Sequence, residues 1–548
     1  MHQQACSNAT ILIHVCHRFR SGKLSATISN GVGETMIDWS DGYHTEALYT
    51  YGYYKELSPS LQKLAVLLAG YETLPSTEND VHMELGFGQG ISINIHAASQ
   101  QGSYIGNDFN PSHVAHAQLL AHASHSHIEL SDASFAQMDA RTDLPMCNSI
   151  SLHGIWSWIN DENRQHIVNI IQKHLKPGGI VYNSYNSISG HAGFLPWRHM
   201  MWQHYQQQTG TALERIDHTI KHFSAMFESN PSLLDNNPAL KSTWERIQSA
   251  DRHYLLHEYF NANWDCFSLS QVNELMQTAK LQFVGTTTSN AYINHLAMDE
   301  NRLAQVQAQP NVLAAESWRD VLLGNTFRQD LYIKGGESLS PQGILRRLQK
   351  LRFVCTVTED LFINFLFNPQ DSRHFNADLF DPIKAELVNN AYAPKSFAQL
   401  QAAVGSKYTW QQILQVVLLK IHAGHLQPCV EQETQQTRQQ SHDLNLALLG
   451  KLDDKISGVY VASPVTGMAL TLEYIYAWCL RTWLQQADAT QNDIAENIWQ
   501  GLQAHGRVLV DEAGKSLSTR EEHFKLIASK LSNASALRQV WQTLGLLP

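Results

Sequence analysis

The stretch VHMELGFGQGISINIHAA, residues 81–98, decides the fold of this chain. Its three glycines, Gly86, Gly88 and Gly90, occupy every second position between an apolar run and a segment of helical character. Glycines let a backbone pass close to a ligand, and the amides at a helix N-terminus favour anionic groups. The stretch therefore predicts a strand, a cofactor-binding turn and a helix at the carboxyl edge of an α/β sheet.

The spacing of the glycines excludes two common cofactor turns. A dinucleotide fingerprint, G-x-G-x-x-G, needs a third glycine where this chain has Ile91, counted from Gly86, or Ile93, counted from Gly88. A Walker loop ends in Gly-Lys-Ser/Thr, and the stretch lacks that ending. The pattern that is left is the acidic Glu84 followed by leucine and three alternating glycines. It predicts a turn whose backbone lies close to a ligand that has no diphosphate.

Around this turn, strand-like and helix-like segments alternate from about residue 61 to residue 186. Five strands are predicted, in the segments DVHMELGF, SYIGNDFN, HIELSDASF, SISLHGIW and IVYNSYNS. Helices are predicted between them, one of which begins at Pro111. This alternation predicts a doubly wound, Rossmann-like sheet of parallel strands with helices on both faces, which binds ligands at the carboxyl ends of its strands.

The run from Glu84 to Gly90 resembles motif I of class I S-adenosylmethionine-dependent methyltransferases. The resemblance implies that the three glycines lie against the methionyl part of the cofactor and that Glu84 engages its ammonium group. Asp108 ends the strand SYIGNDF, where a carboxylate can accept both ribose hydroxyls. The implied cofactor is S-adenosyl-L-methionine, which leaves as S-adenosyl-L-homocysteine.

The next strand end supplies the residues expected around the adenine. Asp132, Ala133 and Ser134 end the third strand, where this fold reads the adenine amino group, and Phe109 can flank the ring. Either aspartate alone, Asp108 or Asp132, could be an ordinary turn residue. The glycines, the acidic residue expected at the ribose and the acidic residue expected at the adenine follow in order at successive strand ends. Together they favour a cofactor site.

Four further stretches resemble one bacterial group of these enzymes. They are YTYGYYKELSP (49–59), LHGIWSWINDENR (152–164), SYNSISG (184–190) and HEYFNANWDCFSLSQVNEL (257–275). The group comprises class I methyltransferases with a methyltransferase regulatory domain, related to bacterial protein-lysine methyltransferases, and the likeness runs from about Met36 to the end. Many relatives have Thr-x-Pro-Gly-Trp after the fifth strand, where this chain has Ser-Ile-Ser-Gly-His at 187–191.

Candidate catalytic and acceptor-binding residues surround the same strand ends. His153, after the fourth strand, is a candidate general base for a hydroxyl or carboxyl acceptor, a residue that lines the cofactor pocket, or a structural histidine. Tyr54 is a second catalytic candidate. Trp156, Tyr51 and Tyr185 are candidates for holding an ammonium by cation–π contact, which suits a lysine acceptor. The alternative is that these aromatic residues pack helices onto the sheet.

The predicted reaction is methyl transfer from the sulfonium to a nucleophilic acceptor, with a protein lysine as the leading choice. A small-molecule or cell-envelope acceptor is the first alternative. A cofactor-sensing transcriptional regulator is the second, because SFAQLQAAVG and TWQQILQVVLLKIHAGHLQP predict a winged-helix-like unit. Lys420 is the only lysine or arginine between residues 409 and 426, whereas recognition helices usually carry several, so we expect no nucleic-acid partner.

Composition limits the remaining possibilities. The 548 residues carry a net charge of −11, which argues against a general nucleic-acid or membrane binder, and no apolar run approaches a membrane span. The seven cysteines are scattered, and His113 and His116 lack acidic partners at ligand spacing, so a cytoplasmic protein without a metal is expected. The chain is predicted to have four parts. Residues 1–35 form an extension that is not necessarily native, and residues 36–215 form a methyltransferase domain. Residues 216–340 form a helical regulatory-type domain, and residues 341–548 form a C-terminal domain with a β-hairpin, a winged-helix-like unit and further helices.

Overall fold

A computed structural model describes residues 51–287, 298–366, 372–453, 459–511 and 514–548. The prediction about residues 1–35 lies outside these ranges. Among the helices in the described ranges, none is both long and apolar enough to cross a membrane.

A seven-stranded sheet forms the centre of the molecule. Its strands are β1 (Val81–Leu85), β2 (Ser103–Asn107), β3 (Ile128–Ser131), β4 (Cys147–Leu152), β5 (Leu175–Asn186), β6 (Gln282–Thr286) and β7 (Phe327–Ile333). The spatial order is β3-β2-β1-β4-β5-β7-β6; the first five strands run parallel and β7 runs antiparallel to both neighbours. The predicted doubly wound sheet is confirmed, and its strand order reverses between β1 and β4, where such sheets bind ligands.

Helices cover both faces of the sheet. They are α1 (Pro59–Leu68), α2 (Ile91–Ser99), α3 (Pro111–Ser124), α4 (Phe135–Ala140) and α5 (Asp161–His174). Pro111 stands at the first position of α3, and the Asn110 side chain accepts a hydrogen bond from the Ser112 amide, so these residues define where the helix begins. Apolar residues of α1, α2 and α3 pack on one face, and those of α4 and α5 pack on the other.

The sheet continues past the domain boundary predicted at residue 215. β6 and β7 belong to the regulatory-type segment, yet they complete the edge of the methyltransferase sheet beside β5. Between β5 and β6 lies a helical insert with a hydrophobic core of its own, and three more helices pack around the last strands. The helices are α6 (Ile188–His191), α7 (Leu195–Gln207), α8 (Ala212–Ser229), α9 (Ser232–Asp235), α10 (Pro238–Ser249), α11 (Arg252–Glu258), α12 (Leu269–Thr278), α13 (Glu300–Gln307) and α14 (Val312–Leu323).

The C-terminal part is mostly helical and contains two small sheets. Its strands are β8 (Arg352–Cys355), β9 (Lys395–Ser396), β10 (Leu426–Pro428), β11 (Val459–Ser463) and β12 (Met468–Leu472). Its helices are α15 (Pro341–Leu348), α16 (Ala377–Tyr392), α17 (Phe397–Val404), α18 (Trp410–His422), α19 (Gln435–Gly450), α20 (Tyr474–Gln485), α21 (Gln491–Ala504) and α22 (Arg520–Thr543). β11 and β12 form an antiparallel hairpin.

One predicted hairpin in this part is wrong. RFVCTVTED supplies β8, but FINFLFN forms no strand in its described residues, 362–366; β8 pairs instead with β9 and β10. The two helices of the predicted winged-helix-like unit are present as α17 and α18, while its winged-helix character stays a prediction. Lys420 on α18 is buried, and its ammonium lies 3.7 Å from the ring centroid of Phe365, so it is not available to a phosphate.

Candidate functional site

The glycine turn connects β1 to α2 with a strained backbone that glycine alone tolerates well. Gly86, Gly88 and Gly90 have φ angles of +72°, +58° and +74°. A β-carbon on Gly90 would lie 2.4 Å from the β-carbon of Ala117 on α3. The turn is also hydrogen-bonded to β2, because the Gly86 amide donates to the Asn107 carbonyl at 2.8 Å. The stretch that predicted the fold therefore forms a tight cradle at the strand-order reversal.

Asp108 lies directly after β2 and faces this turn. One carboxylate oxygen accepts a 2.8 Å hydrogen bond from the Gly88 amide, and the other accepts from the Asn110 amide and lies 3.0 Å from Nδ1 of His113. These contacts fix the orientation of a buried carboxylate at the strand end where ribose recognition was predicted. The sequence presents His113 only as a candidate metal ligand, but its position in the first turn of α3 puts it beside Asp108.

The surroundings of Asp108 fit a polar, partly charged ligand. Burial, reinforced by Asp108, raises the pKa of Glu84 to about 8. Within the described part of the chain, Oδ1 of Asn107 and Nε2 of His113 are buried without hydrogen-bond partners. Buried polar atoms are normally satisfied, so these two offer hydrogen bonds to a bound molecule. Residues of the chain thus fit the adenosyl and amino-acid groups of S-adenosylmethionine.

The residues predicted to read the adenine lie at the end of β3. Asp132 is exposed and Phe109 is half-buried. The Ala133 carbonyl accepts a 2.8 Å hydrogen bond from the Asn107 side chain, which ties this loop to the end of β2. Ser134 caps α4 through a reciprocal pair of bonds with Gln137. The adenine role of Asp132, Ala133, Ser134 and Phe109 stays a prediction.

His153 follows β4 and lies in an aromatic cluster. Its Nδ1 is 2.7 Å from the Tyr182 hydroxyl, its ring stacks on Tyr54 with centroids 4.1 Å apart, and the edge of Phe327 is close. Burial lowers the pKa of His153 to about 3. An effective general base has a pKa near the working pH, so this geometry favours the pocket-lining role for His153 over the catalytic one.

Two tyrosines of the segment before α1 lie in different places. The Tyr54 amide donates to Ser92 on α2 at 2.9 Å, and its ring covers His153, so the structure brings Tyr54 to the cofactor turn. Tyr51 packs instead between His116 and Tyr460 of the C-terminal hairpin. Its contacts join parts of the chain and give no support for acceptor binding.

The structure corrects the prediction that Trp156 and Tyr185 bind the acceptor. Trp156 is 1% exposed and packs in the main core, and Tyr185 is 0% exposed. The Tyr185 hydroxyl donates to Asp330 at 2.5 Å, which places it inside a buried charge network with Arg328. Neither ring has an exposed face that an acceptor could contact. Both residues pack inside the protein, as the alternative interpretation predicts.

His116 of α3 also lies near the glycine turn. His116 Nδ1 contacts the Gln89 carbonyl at 2.8 Å, and its Nε2 contacts the ammonium of Lys451. Among the described residues, no group of three or more His, Cys, Asp or Glu side chains is arranged to hold a metal ion.

Comparison with known proteins agrees with this geometry. Residues 83–179 match a methyltransferase domain family, and residues 251–334 match the family described as a predicted methyltransferase regulatory domain. The fold and the sequence matches define a class I methyltransferase that uses S-adenosylmethionine.

Individual relatives extend the match over most of the chain. The uncharacterized protein sll1526 of Synechocystis is 31% identical over 502 residues, covering 91% of this chain and 97% of that protein. PKMT2 from Rickettsia typhi, solved in complex with AdoHcy, has a TM-score of 0.67 at 16% identity, covering 91% of this chain and 100% of that chain. The chain belongs to the family of S-adenosylmethionine-dependent methyltransferases with a methyltransferase regulatory domain.

Proposed function

We propose that the chain transfers the methyl group of S-adenosylmethionine to a lysine side chain of a protein. The observation that carries this proposal is the aromatic cluster at the end of β4, where Tyr54, His153 and Phe327 meet near the glycine turn. Aromatic faces hold ammonium and methylammonium groups by cation–π attraction. The fold neighbour PKMT2 from Rickettsia typhi and the resemblance to bacterial protein-lysine methyltransferases support the same acceptor class.

The site residues divide into those that would bind the methyl donor and those that would surround the methyl acceptor. S-adenosylmethionine supplies a methyl group on a positively charged sulfur. We propose that Glu84 accepts the ammonium of its amino-acid part, that Asp108 accepts the ribose hydroxyls, and that Asp132, Ala133, Ser134 and Phe109 hold the adenine. Tyr54 and His153 shape the space where the acceptor nitrogen approaches the methyl, and positioning of that kind supplies much of the rate of such a displacement.

The experiment is transfer of a labelled methyl group. The purified chain is incubated with methyl-labelled S-adenosylmethionine and lysate of its host, and the labelled products are separated by size and hydrolysed. We expect label in protein and recovery of labelled methyl-lysine. Label confined to small molecules or to envelope components would contradict the protein-lysine acceptor while leaving methyl transfer intact.

A further inference from the structure

Three hydrogen-bond donors of the protein hold the Asp108 carboxylate at the end of β2. The Gly88 amide donates to Oδ2 at 2.8 Å, the Asn110 amide donates to Oδ1 at 3.0 Å, and Nδ1 of His113 lies 3.0 Å from the same Oδ1. Asp108 is 5% exposed and His113 is 4% exposed. Because both residues are buried, these contacts rather than water decide how the carboxylate is oriented.

The start of α3 brings His113 to that carboxylate. Pro111 is the first residue of α3 and His113 the third. The Asn110 side chain accepts a hydrogen bond from the Ser112 amide, and the Asn110 carbonyl accepts one from the His113 amide, both at 3.0 Å. A capped first turn that begins with proline has a fixed backbone, so the imidazole is presented to Asp108 by a rigid element.

The contact with His113 distinguishes the two oxygens of the carboxylate. An ionised carboxylate only accepts hydrogen bonds, so Nδ1 of His113 is the donor, in the neutral ring and in the protonated ring alike. A carboxylate offers about four acceptor positions, two on each oxygen. Oδ1 of Asp108 uses both of its positions for Asn110 and His113. Oδ2 uses one for Gly88 and keeps the other beside the glycine turn.

His113 is the side chain through which this arrangement can be altered. The other two donors are backbone amides, which remain when a side chain is changed. Among the described residues, His113 is also the only lysine, arginine or histidine within ion-pair distance of Asp108. The orientation of the carboxylate therefore depends on one side chain that lies on a different element from β1 and β2.

We infer that His113 is a positioning residue for cofactor recognition: by donating to Oδ1, it keeps Oδ2 of Asp108 as the oxygen that accepts from the ribose. The inference rests on the ribose role proposed for Asp108 and adds a residue that acts through it. Without the Nδ1 donor, Oδ1 has an open acceptor position and the carboxylate can rotate about its terminal bond. Loss of that donor should therefore reduce the preference for a ligand that carries ribose hydroxyls.

The test compares S-adenosylhomocysteine with its 2′,3′-dideoxy analogue, which lacks both ribose hydroxyls. Calorimetry on the full chain gives the ratio of the two affinities for wild type, His113→Leu, His113→Gln and His113→Asn. Leucine has no donor, and glutamine carries its amide nearer to the position of Nε2, whereas asparagine places an amide nitrogen near the position of Nδ1.

We expect the wild type to prefer S-adenosylhomocysteine by about tenfold or more, the effect of a hydrogen bond to a charged group. That preference should fall about fivefold in His113→Leu and in His113→Gln, and His113→Asn should stay within about twofold of the wild type. The control His122→Leu makes the same change at an exposed histidine of α3 and should leave the preference unchanged.

Two results would overturn the inference. One is an unchanged preference in His113→Leu and His113→Gln, even with both ligands bound more weakly, because a merely structural role lowers the two affinities together. The other is an equal loss of preference in His113→Asn, which would assign Nε2 a direct contact with the ligand. A wild type without preference would refute the ribose role of Asp108, and one that binds neither ligand would refute the proposed function. Thermal melts identify any variant that fails to fold.

Discussion

At the scale of single residues, the charge on Glu84 is set by its surroundings. The side chain is buried at the end of β1 near Asp108, and its pKa is raised to about 8. The carboxyl is therefore mostly protonated at neutral pH before a ligand arrives. An ammonium group bound beside it would favour the ionised form, so binding would release a proton below pH 8.

This linkage predicts a pH-dependent affinity for S-adenosylhomocysteine. As the pH falls from 8 to 6, binding must first remove the proton from Glu84, so we expect the affinity to fall by up to about tenfold per pH unit. Calorimetry across this range measures the slope, and Glu84→Gln should abolish it. An affinity that stays constant in the wild type would show that Glu84 does not meet the ammonium.

Gly90 offers a second test at this scale. Gly90→Ala places a methyl group 2.4 Å from the β-carbon of Ala117 at a φ of +74°, so we expect roughly 2–4 kcal/mol of lost stability from overlap and backbone strain. Gly324→Ala is the matched control, because Gly324 has a φ of +60° and open space around it; only the strain of about 1 kcal/mol should remain. Urea denaturation compares them, and equal losses would refute the tight contact between turn and α3.

Sequence predicts the positions of strand-end residues better than the surroundings of aromatic ones. Glycines and acids at strand ends are defined by local turn chemistry, so the positions of Gly90 and Asp108 follow from the pattern. Whether an aromatic ring faces a pocket depends on strand register and on distant segments. Tyr182 contacts His153, whereas Tyr185, an odd number of positions along the same strand, points to the opposite face and meets Asp330.

At the scale of elements, a buried charge network joins β7 to the preceding helix α14. The Arg328 guanidinium contacts Asp320 at 2.6 Å and Asp330 at 2.7 Å, and all three side chains are buried. β6 and β7 follow β5 only after the long helical insert, and no local pattern tells which sheet edge they join. The sequence therefore predicts the first five strands but not that β6 and β7 join the same sheet.

The network predicts a large effect of one substitution. Arg328→Met would leave Asp320 and Asp330 buried without their cation, so we expect a loss of about 3–5 kcal/mol in the free energy of unfolding. Arg302→Met, which removes an exposed pair with Asp299, should cost about 1 kcal/mol or less. Thermal and urea denaturation measure both. Similar small losses in the two variants would mean that the network does not stabilise β7.

At the scale of the whole molecule, the C-terminal part packs onto α2 and α3, the helices that follow the glycine turn and β2. α19 lies against α2 and α3, where Ser441 donates to the Ala98 carbonyl at 3.1 Å. Lys451 contacts His116, and His116 contacts the carbonyl of Gln89 in the glycine turn. Burial lowers the pKa of His116, so a neutral ring can link the lysine to the turn.

This chain of contacts predicts that a distant lysine affects cofactor binding. Lys451→Met removes the contact to His116, and we expect S-adenosylhomocysteine to bind about three- to tenfold more weakly, the effect of roughly one hydrogen bond. Lys515→Met changes an exposed lysine of the same part and should leave affinity unchanged. Equal affinities in both variants would show that the C-terminal part does not influence the turn.

The central claim is that the glycine turn and Asp108 hold S-adenosylmethionine. Calorimetric titration of the full chain with S-adenosylhomocysteine tests it most directly, with the wild type and Asp108→Ala measured side by side. We predict one-to-one binding by the wild type and at least tenfold weaker binding by Asp108→Ala. The absence of binding to the wild type, or tight binding of NADH in its place, would contradict the account.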